Sequence, residues 1–461
     1  MSVLKRSSLN WEQTSNALII TLQTEPEDAV NTYYLKDLRG NTRRKILQRA
    51  ETNIRELITQ VQPIVEEVRQ KGDEALLKYS REFDKVQFSC KEDLVVSSEE
   101  INSALGSLDS ALKEAIEKSL ENIIRFHQHQ MPQELWLTQL GPGIMAGEKT
   151  TPIESVGLYV PRGKGSFPSV MMMLATPAMV AKVEKVIVCT PPNPDGSVDA
   201  ASLVAARKCG VKEIFKVGGA QAIAAMAFGT ETIPRVSKII GPGSPYVSAA
   251  KRILYGTVDV GLPAGPSEAL IVADEMADPL TVALDLLIEA EHGPDSSVFL
   301  VTHSEKLVNE VKQALPGLLA ELPEWRQSFC EKVFQEYGGA IITSNLDESL
   351  GFVNDYAPEH LELLVNEPFV ALEKVKHAGE ILLGKNTPIT ISNFSLGPNA
   401  ILPTGGFAKT FSAVSVRDFL KSSSIAYLTE VGYDTLKPWA LKLAEYEGFP
   451  AHALALKRRF S

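Results

Sequence analysis

The spacing of apolar residues separates a helical first part of the chain from an alternating second part. Over residues 41–83, apolar side chains recur at every third or fourth position with charged residues between them, which predicts amphipathic helices. A second stretch, from Ile101 to His129, has the same spacing and predicts a further helix. Each helix therefore needs a surface on which to bury its apolar face.

After Pro152, short β-rich runs such as VGLYVP and KVIVCT alternate with helices of small residues. This order is typical of a parallel sheet with crossover helices, so the fold class is predicted to be α/β. Further strands are predicted at EALIVAD, SSVFLVT, GGAIITS and LELLV. The predicted division is an N-terminal extension at 1–36, a helical segment packing on the α/β core at 37–150, a first α/β domain at 151–275, a second α/β region at 276–417 and a C-terminal helical tail at 418–461.

Composition and charge exclude several classes of protein. Hydrophobic residues make up 44% and charged residues 22% of the 461 residues, as in globular proteins. The 46 basic and 57 acidic residues give a net charge of −11, so no basic surface for nucleic acid is expected. No apolar run is long enough for a membrane span, and no secretory leader is recognisable, so a cytoplasmic protein is expected. The separate positions of the four cysteines predict reduced, buried thiols.

The common phosphate-binding motifs are absent. The chain contains neither G-x-G-x-x-G nor G-x-x-x-x-G-K-[ST]. The segment GPGSPY, between a predicted strand and a predicted helix, is an anion-friendly turn and no more. The sequence therefore contains no ordinary dinucleotide-binding fingerprint that would support a cofactor.

Glu289 and His292 lie three residues apart at the end of a predicted helix, in DLLIEAEHGPDS. Side chains at this spacing project from nearly the same helix face, and helices use Glu-x-x-His to hold metals. The alternative is a solvated stripe of Asp285, Glu289 and His292. The pair alone cannot complete a zinc shell, which usually has four ligands.

Glu359 and His360 are adjacent in NDYAPEHLELLV, just ahead of an apolar run. A carboxylate beside an imidazole provides two proton acceptors with different pKa values, which suits a reaction that removes protons in two steps. The alternative is a half-exposed turn.

Eight segments in fixed order resemble those of histidinol dehydrogenases, namely GLYVP, VGGAQAIAAMAFGTE, GPGSPYV, LPAGPSE, EAEHGPDS, YAPEHLEL, GPNAILPTGG and EGFPAH. They cover about residues 40 to 455. The resemblance implies a homodimer of two incomplete Rossmann-like domains with parallel-rich twisted sheets and a helical tail exchanged between subunits. It also implies that a primary alcohol is oxidised through an aldehyde to a carboxylate by two NAD in turn.

The resemblance assigns roles to residues of this chain. His360 would be the base that takes the alcohol proton, and Glu359 would activate the water that adds to the aldehyde. Cofactor contacts carry over to Tyr159, Gln221 and Ser244, the last replacing the family's usual asparagine. The substrate-binding positions that carry over are Ser267, Glu447 and His452, and the resemblance places His452 in the partner's site.

The metal positions depart from the family in two places. The family binds zinc with Gln, His, Asp and a His of the other subunit, and the matching residues here are Glu289, His292, Asn393 and His452. The carboxylate and the amide have exchanged positions, so the total ligand charge is unchanged. The hypothesis is that Zn²⁺ still binds, and the alternative is an empty, degenerate site.

Two further departures concern the substrate. Ala400 replaces a histidine that contacts the substrate in the family, and Arg162 stands where a small residue is common. L-histidinol remains the leading substrate. The alternatives are another, anionic alcohol such as dihydroxypropanesulfonate, oxidised by a paralogue of the family, and a non-catalytic relative that binds a ligand. The retention of Glu359 and His360 argues against the second alternative.

Overall fold

The computed structural model describes residues 30–50, 54–162 and 165–459. Most of the extension predicted at 1–36 lies outside these residues. None of the helices in the described ranges combines the length and the apolar character needed to cross a bilayer. The cysteines are free, and Cys189, Cys209 and Cys330 are buried. The prediction was wrong for Cys90, which is exposed because it begins a short surface turn at Lys91–Leu94.

The strands, in chain order, are β1 (Thr32–Tyr34), β2 (Leu135–Gly141), β3 (Ile144–Pro152), β4 (Ser155–Tyr159), β5 (Lys185–Cys189), β6 (Glu213–Phe215), β7 (Lys238–Ile240), β8 (Glu268–Ala273), β9 (Ser297–Thr302), β10 (Gly339–Ile342), β11 (His360–Leu364), β12 (Glu380–Leu383) and β13 (Leu420–Leu428). The helices are α1 (Gly40–Gln48), α2 (Ile54–Lys71), α3 (Asp73–Tyr79), α4 (Ser98–Ser107), α5 (Ser110–His129), α6 (Pro168–Val180), α7 (Ala200–Lys208), α8 (Gly219–Phe228), α9 (Pro245–Leu254), α10 (Pro279–Ala290), α11 (Glu305–Leu319), α12 (Glu324–Glu336), α13 (Leu346–Tyr356), α14 (Pro368–Leu372), α15 (Ile389–Ile391), α16 (Glu430–Tyr446) and α17 (Pro450–Arg458).

The small sheet has the strand order β6-β5-β4-β7, and all its pairs are parallel. Helices α6 and α7 cover one face and α8 and α9 the other, so its strands are buried on both sides. The predicted helices of the first part pack here, α5 against α6 and α2 against α8 and α9. The prediction of a parallel sheet with crossover helices is therefore confirmed.

The large sheet has the order β1-β10-β9-β8-β11-β12 and is also parallel. Two of its strands lie in ranges that the sequence analysis assigned to other parts of the chain. Strand β1 lies in the predicted N-terminal extension, and β8 lies in the range predicted for the first α/β domain. Both strands pair in parallel with strands of the large sheet. The domain ranges stay a proposal.

An antiparallel sheet of order β13-β3-β2 pairs residues 135–152 with residues 420–428, which precede the C-terminal helices. The predicted N-terminal helical segment and C-terminal helical tail are present, and the strands of this sheet were not predicted. Strand β13 leads directly into α16 and α17, the helical tail, which was predicted correctly. Side chains of β2 are exposed on both faces in the single chain, so its sequence lacks the alternating apolar pattern of a half-buried strand.

Candidate active site

The site lies at the amino edge of the large sheet, where β8, β11 and β12 begin. His360 is paired in register with Ala269 of β8 and with Glu380 of β12, so the first residues of β11 and β12 lie beside the second residue of β8. Helix α10 runs back from the carboxyl end of β8 and ends at this same edge, which brings Glu289 to the strands. Four chain segments thus deliver charged side chains to one buried place.

Glu359 enters the site through a tight turn. Helix α13 ends at Tyr356, its C-cap residue Ala357 has a left-handed φ of 53°, and Pro358 then directs the chain into β11. The Glu359 side chain is buried, and its Oε2 accepts a hydrogen bond from the backbone N–H of Glu268 at 2.8 Å. Burial, with the nearby carboxylates of Glu289 and Glu268, raises the Glu359 pKa well above its ordinary value, although His360 opposes the shift.

His360 is only 3% exposed, and carboxylates surround its ring. Its Nδ1 lies 3.0 Å from Glu380 Oε2, and its Nε2 lies 3.9 Å from Glu289 Oε1. Burial by itself lowers the pKa of the imidazole, but Glu289 and Glu380 outweigh it and raise the pKa to about 9. The Ser392 hydroxyl donates to the other oxygen of Glu380 and so holds that carboxylate in place. The burial of this pair excludes the alternative of a half-exposed turn.

The same place contains a candidate metal site. Glu289, Glu359 and His360 each offer a ligand atom, and these atoms lie within 4.8 Å of one another. The side-chain nitrogen of Asn393 donates to Glu289 Oε1 at 3.3 Å, while Asn393 Oδ1 is buried without a hydrogen-bond partner. His292 Nδ1 lies 3.3 Å from Glu289 Oε2. A carboxylate, an orphaned amide oxygen and imidazoles form a donor set that fits a divalent cation.

Three of the four predicted metal residues therefore come together, namely Glu289, His292 and Asn393. His452 lies on α17, where it is exposed and its ring packs on Phe449. The alternative of a solvated stripe on α10 is wrong, because Asp285 and Glu289 are buried.

The predicted cofactor residues lie at the carboxyl edge of the small sheet, which faces the site. Tyr159 ends β4, and its hydroxyl accepts a hydrogen bond from the Gly219 N–H at 3.0 Å. Gln221 is buried in the first turn of α8, and Ser244 is exposed just before α9. Parallel sheets commonly bind nucleotides at this edge, beside helix N-termini.

Comparison with known proteins identifies the family. The family model for histidinol dehydrogenase matches residues 47–460. The chain belongs to the histidinol dehydrogenase family. It is 51% identical over 415 residues to a histidinol dehydrogenase of Synechocystis sp., covering 90% of this chain and 95% of that protein. It is 50% identical to a histidinol dehydrogenase homolog of Rhizobium meliloti, covering 93% and 94%.

The fold agrees with this membership of the histidinol dehydrogenase family. The crystal structure of histidinol dehydrogenase from Elizabethkingia anophelis superimposes with a TM-score of 0.88 at 34% identity, covering 93% of this chain and 98% of that one. The resemblance noted in the sequence and the α/β fold it implied are thereby confirmed.

The remaining predicted residues of this family member lie in varied surroundings. Ser267 is half-buried directly before β8, and Glu447 is exposed at the end of α16. Ala400 packs partly buried against the core beneath the small sheet. The Arg162 guanidinium donates to the Pro192 carbonyl oxygen at 3.0 Å, so a backbone contact holds it.

Sequence reasoning missed the acidic residues that support the pair. Glu268 and Glu380 are the first residues of β8 and β12, and Glu362 lies on β11. All three are buried. The recognisable signal was a glutamate at the start of an apolar run, as in EALIVA and EILL. Such a glutamate is buried together with its strand and therefore needs a partner for its charge.

Proposed function

We propose that the protein oxidises L-histidinol through an aldehyde to L-histidine and reduces two NAD in turn. The observation that carries the proposal is the buried pair Glu359 and His360 in a member of the histidinol dehydrogenase family. The carboxylates around this pair supply the proton acceptors that two oxidation steps need.

His360 is proposed as the base for the alcohol. Glu380 holds the Nδ1 side of the ring, so the neutral imidazole keeps its proton on Nδ1 and presents the lone pair of Nε2. That nitrogen takes the hydroxyl proton as hydride leaves the carbon for the nicotinamide of NAD, the hydride acceptor. Tyr159, Gln221 and Ser244 are the proposed contacts of NAD.

Glu359 is proposed to act in the second step. It takes a proton from the water that adds to the aldehyde, and the hydrate then loses the second hydride. A carboxylate with a raised pKa is a stronger base than one in water, and the burial of Glu359 provides this property.

Glu289, His292 and Asn393 are proposed to hold Zn²⁺, the metal that this family uses. When bound, the ion would polarise the alcohol oxygen and offset the negative charge that raises the His360 pKa. The unpartnered Asn393 Oδ1 supports this set of ligands, because a buried carbonyl oxygen without a donor is costly.

A homodimer is proposed to complete the site. His452 of the partner subunit would be the fourth ligand, and Ser267 and the partner subunit's Glu447 would contact the substrate. The support is the apolar surface of the tail, where Tyr446 is 86% exposed. Other exposed apolar residues are Tyr427, Val431, Trp439, Leu443, Phe449 and Leu454 of β13 and the tail, and Leu135, Trp136, Leu137 and Leu140 of β2, which belongs to the same antiparallel sheet as β13. A patch of this kind marks an interface.

The test measures NADH formation from L-histidinol with zinc present. We expect steady formation of two NADH per histidinol, abolished in the His360→Asn variant. In Glu359→Gln the first oxidation should persist while the aldehyde step fails, so less than two NADH form. Failure of the wild-type protein to oxidise histidinol, with turnover of another alcohol in a panel, would refute the assignment of substrate. NAD binding without reduction by any alcohol would refute the assignment as an enzyme.

A further inference from the structure

Arg49, the residue directly after α1, connects the N-terminal helical segment with the turn that carries Glu359. Its side chain is only 6% exposed, although arginine is seldom buried without specific partners. One of these partners, Tyr356, lies 307 positions farther along the chain. None of the roles proposed above belongs to Arg49, so its burial beside the site calls for an explanation.

One side of the guanidinium holds the end of helix α13. Arg49 Nη2 donates to the carbonyl oxygen of Tyr356 and, at 3.4 Å, to that of Ala357. The guanidinium also lies 3.7 Å from the centroid of the Tyr356 ring, where a cation is attracted to the aromatic face. A cation at the last carbonyl groups of a helix is favourable. These contacts fix the two peptide groups from which the turn to Glu359 starts.

The other side of the guanidinium faces Glu268. Arg49 Nε lies 2.9 Å from Glu268 Oε1, and the same oxygen accepts a hydrogen bond from the Gly405 N–H at 2.6 Å. The backbone N–H of Glu268 in turn donates to Glu359 Oε2 at 2.8 Å. Arg49 therefore contacts both the turn that delivers Glu359 and the residue that binds the end of its side chain.

The backbone conformation of Arg49 is also unusual. Its φ of 59° and ψ of −149° are values that glycine adopts readily and other residues rarely. Among the residues that the structure describes, four non-glycine residues have a positive φ, and Arg49 and Ala357 are two of them. Such conformations are costly and persist where the surroundings hold them, often at functional sites. The hydrogen bond from Arg49 to Ala357 joins two of these positions.

The contacts that hold His360 are separate from this arrangement. Glu380 lies 3.0 Å from its Nδ1, and its backbone is paired with β8 and β12. Within the described part of the chain, its ion-pair contacts are with Glu289 and Glu380 and do not include Arg49. A loss of Arg49 should therefore displace Glu359 more than His360.

We propose that Arg49 is a positioning residue for Glu359, which it holds through Glu268 and the turn at Ala357 in the place where Glu359 activates water for the aldehyde step. The inference rests on the proposed function, because it deepens the role given there to Glu359. Without Arg49, the Glu359 carboxylate remains in the site but is no longer fixed relative to the aldehyde. A displacement of about 1 Å can lower a rate about 100-fold.

The test uses the aldehyde of L-histidinol and the zinc-loaded protein in two directions. With NADH the aldehyde is reduced to the alcohol, which reverses the first step and needs His360 but no water. With NAD it is oxidised to the carboxylate, which also needs the water that Glu359 activates. We expect Arg49→Met to lower kcat with NAD about 10-fold or more and kcat with NADH less than about 3-fold. The matched control is Arg43→Met, which removes an exposed pair between α1 and Asp355 of α13 and should change neither rate.

A second variant separates position from stability. Arg49→Met/Glu268→Gln leaves no unpaired charge at this place and keeps the backbone N–H that binds Glu359, but it still lacks the guanidinium contacts to Tyr356 and Ala357. It should show the same selective loss of aldehyde oxidation. If Arg49→Met does not fold, the double variant decides alone.

Two results would overturn the inference while leaving the proposed function intact. One is aldehyde oxidation at the wild-type rate in the variant that lacks Arg49. The other is an equal fall of the rates with NAD and with NADH, which would show that Arg49 only supports the fold. If the wild-type protein lacks either reaction of the aldehyde, the proposed function itself is contradicted.

Discussion

The buried ion pair between Arg49 and Glu268 allows a quantitative prediction. The two side chains are 6% and 4% exposed, and Arg49 Nε lies 2.9 Å from Glu268 Oε1. The guanidinium also lies 3.7 Å above the Tyr356 ring and donates to the Tyr356 carbonyl oxygen. The substitution Arg49→Met keeps the aliphatic stem on the ring but removes the charge, so Glu268 is left buried without its cation.

Breaking such a pair from one side costs about 3–5 kcal/mol of the free energy of unfolding. Burial already raises the Glu268 pKa, and the charge of Arg49 is the strongest interaction that opposes this rise. Without Arg49 the pKa rises further, so the folded protein takes up a proton more readily than the unfolded chain. The loss of stability should therefore be smallest below the unfolded pKa of about 4.5 and should grow as the pH rises through the folded value.

Urea denaturation of the variants at pH 5 and pH 8 measures the effect. The double variant Arg49→Met/Glu268→Gln removes both charges and should recover most of the loss. The matched control is Arg43→Met, because Arg43 pairs with Asp355 at the surface, with side chains 34% and 56% exposed, and should lose less than about 1 kcal/mol. If Arg49→Met loses no more than Arg43→Met, or if the loss does not grow with pH, the reasoning is refuted.

Two further substitutions test the surroundings of the proposed cofactor site. Gly241→Ala should destabilise the fold, because the φ of Gly241 is 140° and the new Cβ would lie 2.0 Å from the Tyr159 carbonyl oxygen. Calorimetry should show a clearly lower Tm. An unchanged Tm would contradict this close approach. Asp84→Asn should stabilise the protein at pH 8, because burial raises the Asp84 pKa from 3.8 to about 6 and the folded state loses stability as the pH rises between these values. The gain in the free energy of unfolding has an upper limit of about 3 kcal/mol and should vanish near pH 3.5. If urea denaturation finds equal gains at pH 8 and pH 3.5, the raised pKa of Asp84 is not the cause.

The sequence predicted those helices and strands whose apolar face is buried within this chain. Helix α5 follows the apolar spacing found from Ile101 onwards, and strands β4 and β9 correspond to GLYVP and SSVFLVT. The antiparallel sheet was not predicted, because the side chains of β2 and β13 are mostly exposed in this chain. Strand β13 reads LKSSSIAYL and its side chains are mostly exposed, so nothing in its local pattern separates it from the helical tail that follows.

The candidate site was predictable only in part. Adjacent residues, such as Glu359 and His360, are visible as a pair in the sequence, and Glu289 and His292 follow a helical spacing. Glu380 could not be connected with His360 from local pattern, because the register of two parallel strands brings together positions that lie twenty residues apart. Arg49 lies still farther away along the chain and reaches Glu268 only through the packing of α1 beside the large sheet.

Proton transfer and metal affinity at this site have one physical origin. Among the described residues, the amino edge of the large sheet holds more carboxyl groups than cations: Glu268, Glu289, Glu359, Glu362 and Glu380 stand against His360 and Arg49. A buried excess of negative charge must be offset, because its desolvation is costly. Protons offset it in part, which is why the pKa of Glu359 and of Glu362 lies well above the ordinary value. A divalent cation at Glu289 would offset it further, so binding of Zn²⁺ and release of protons from these groups should be coupled.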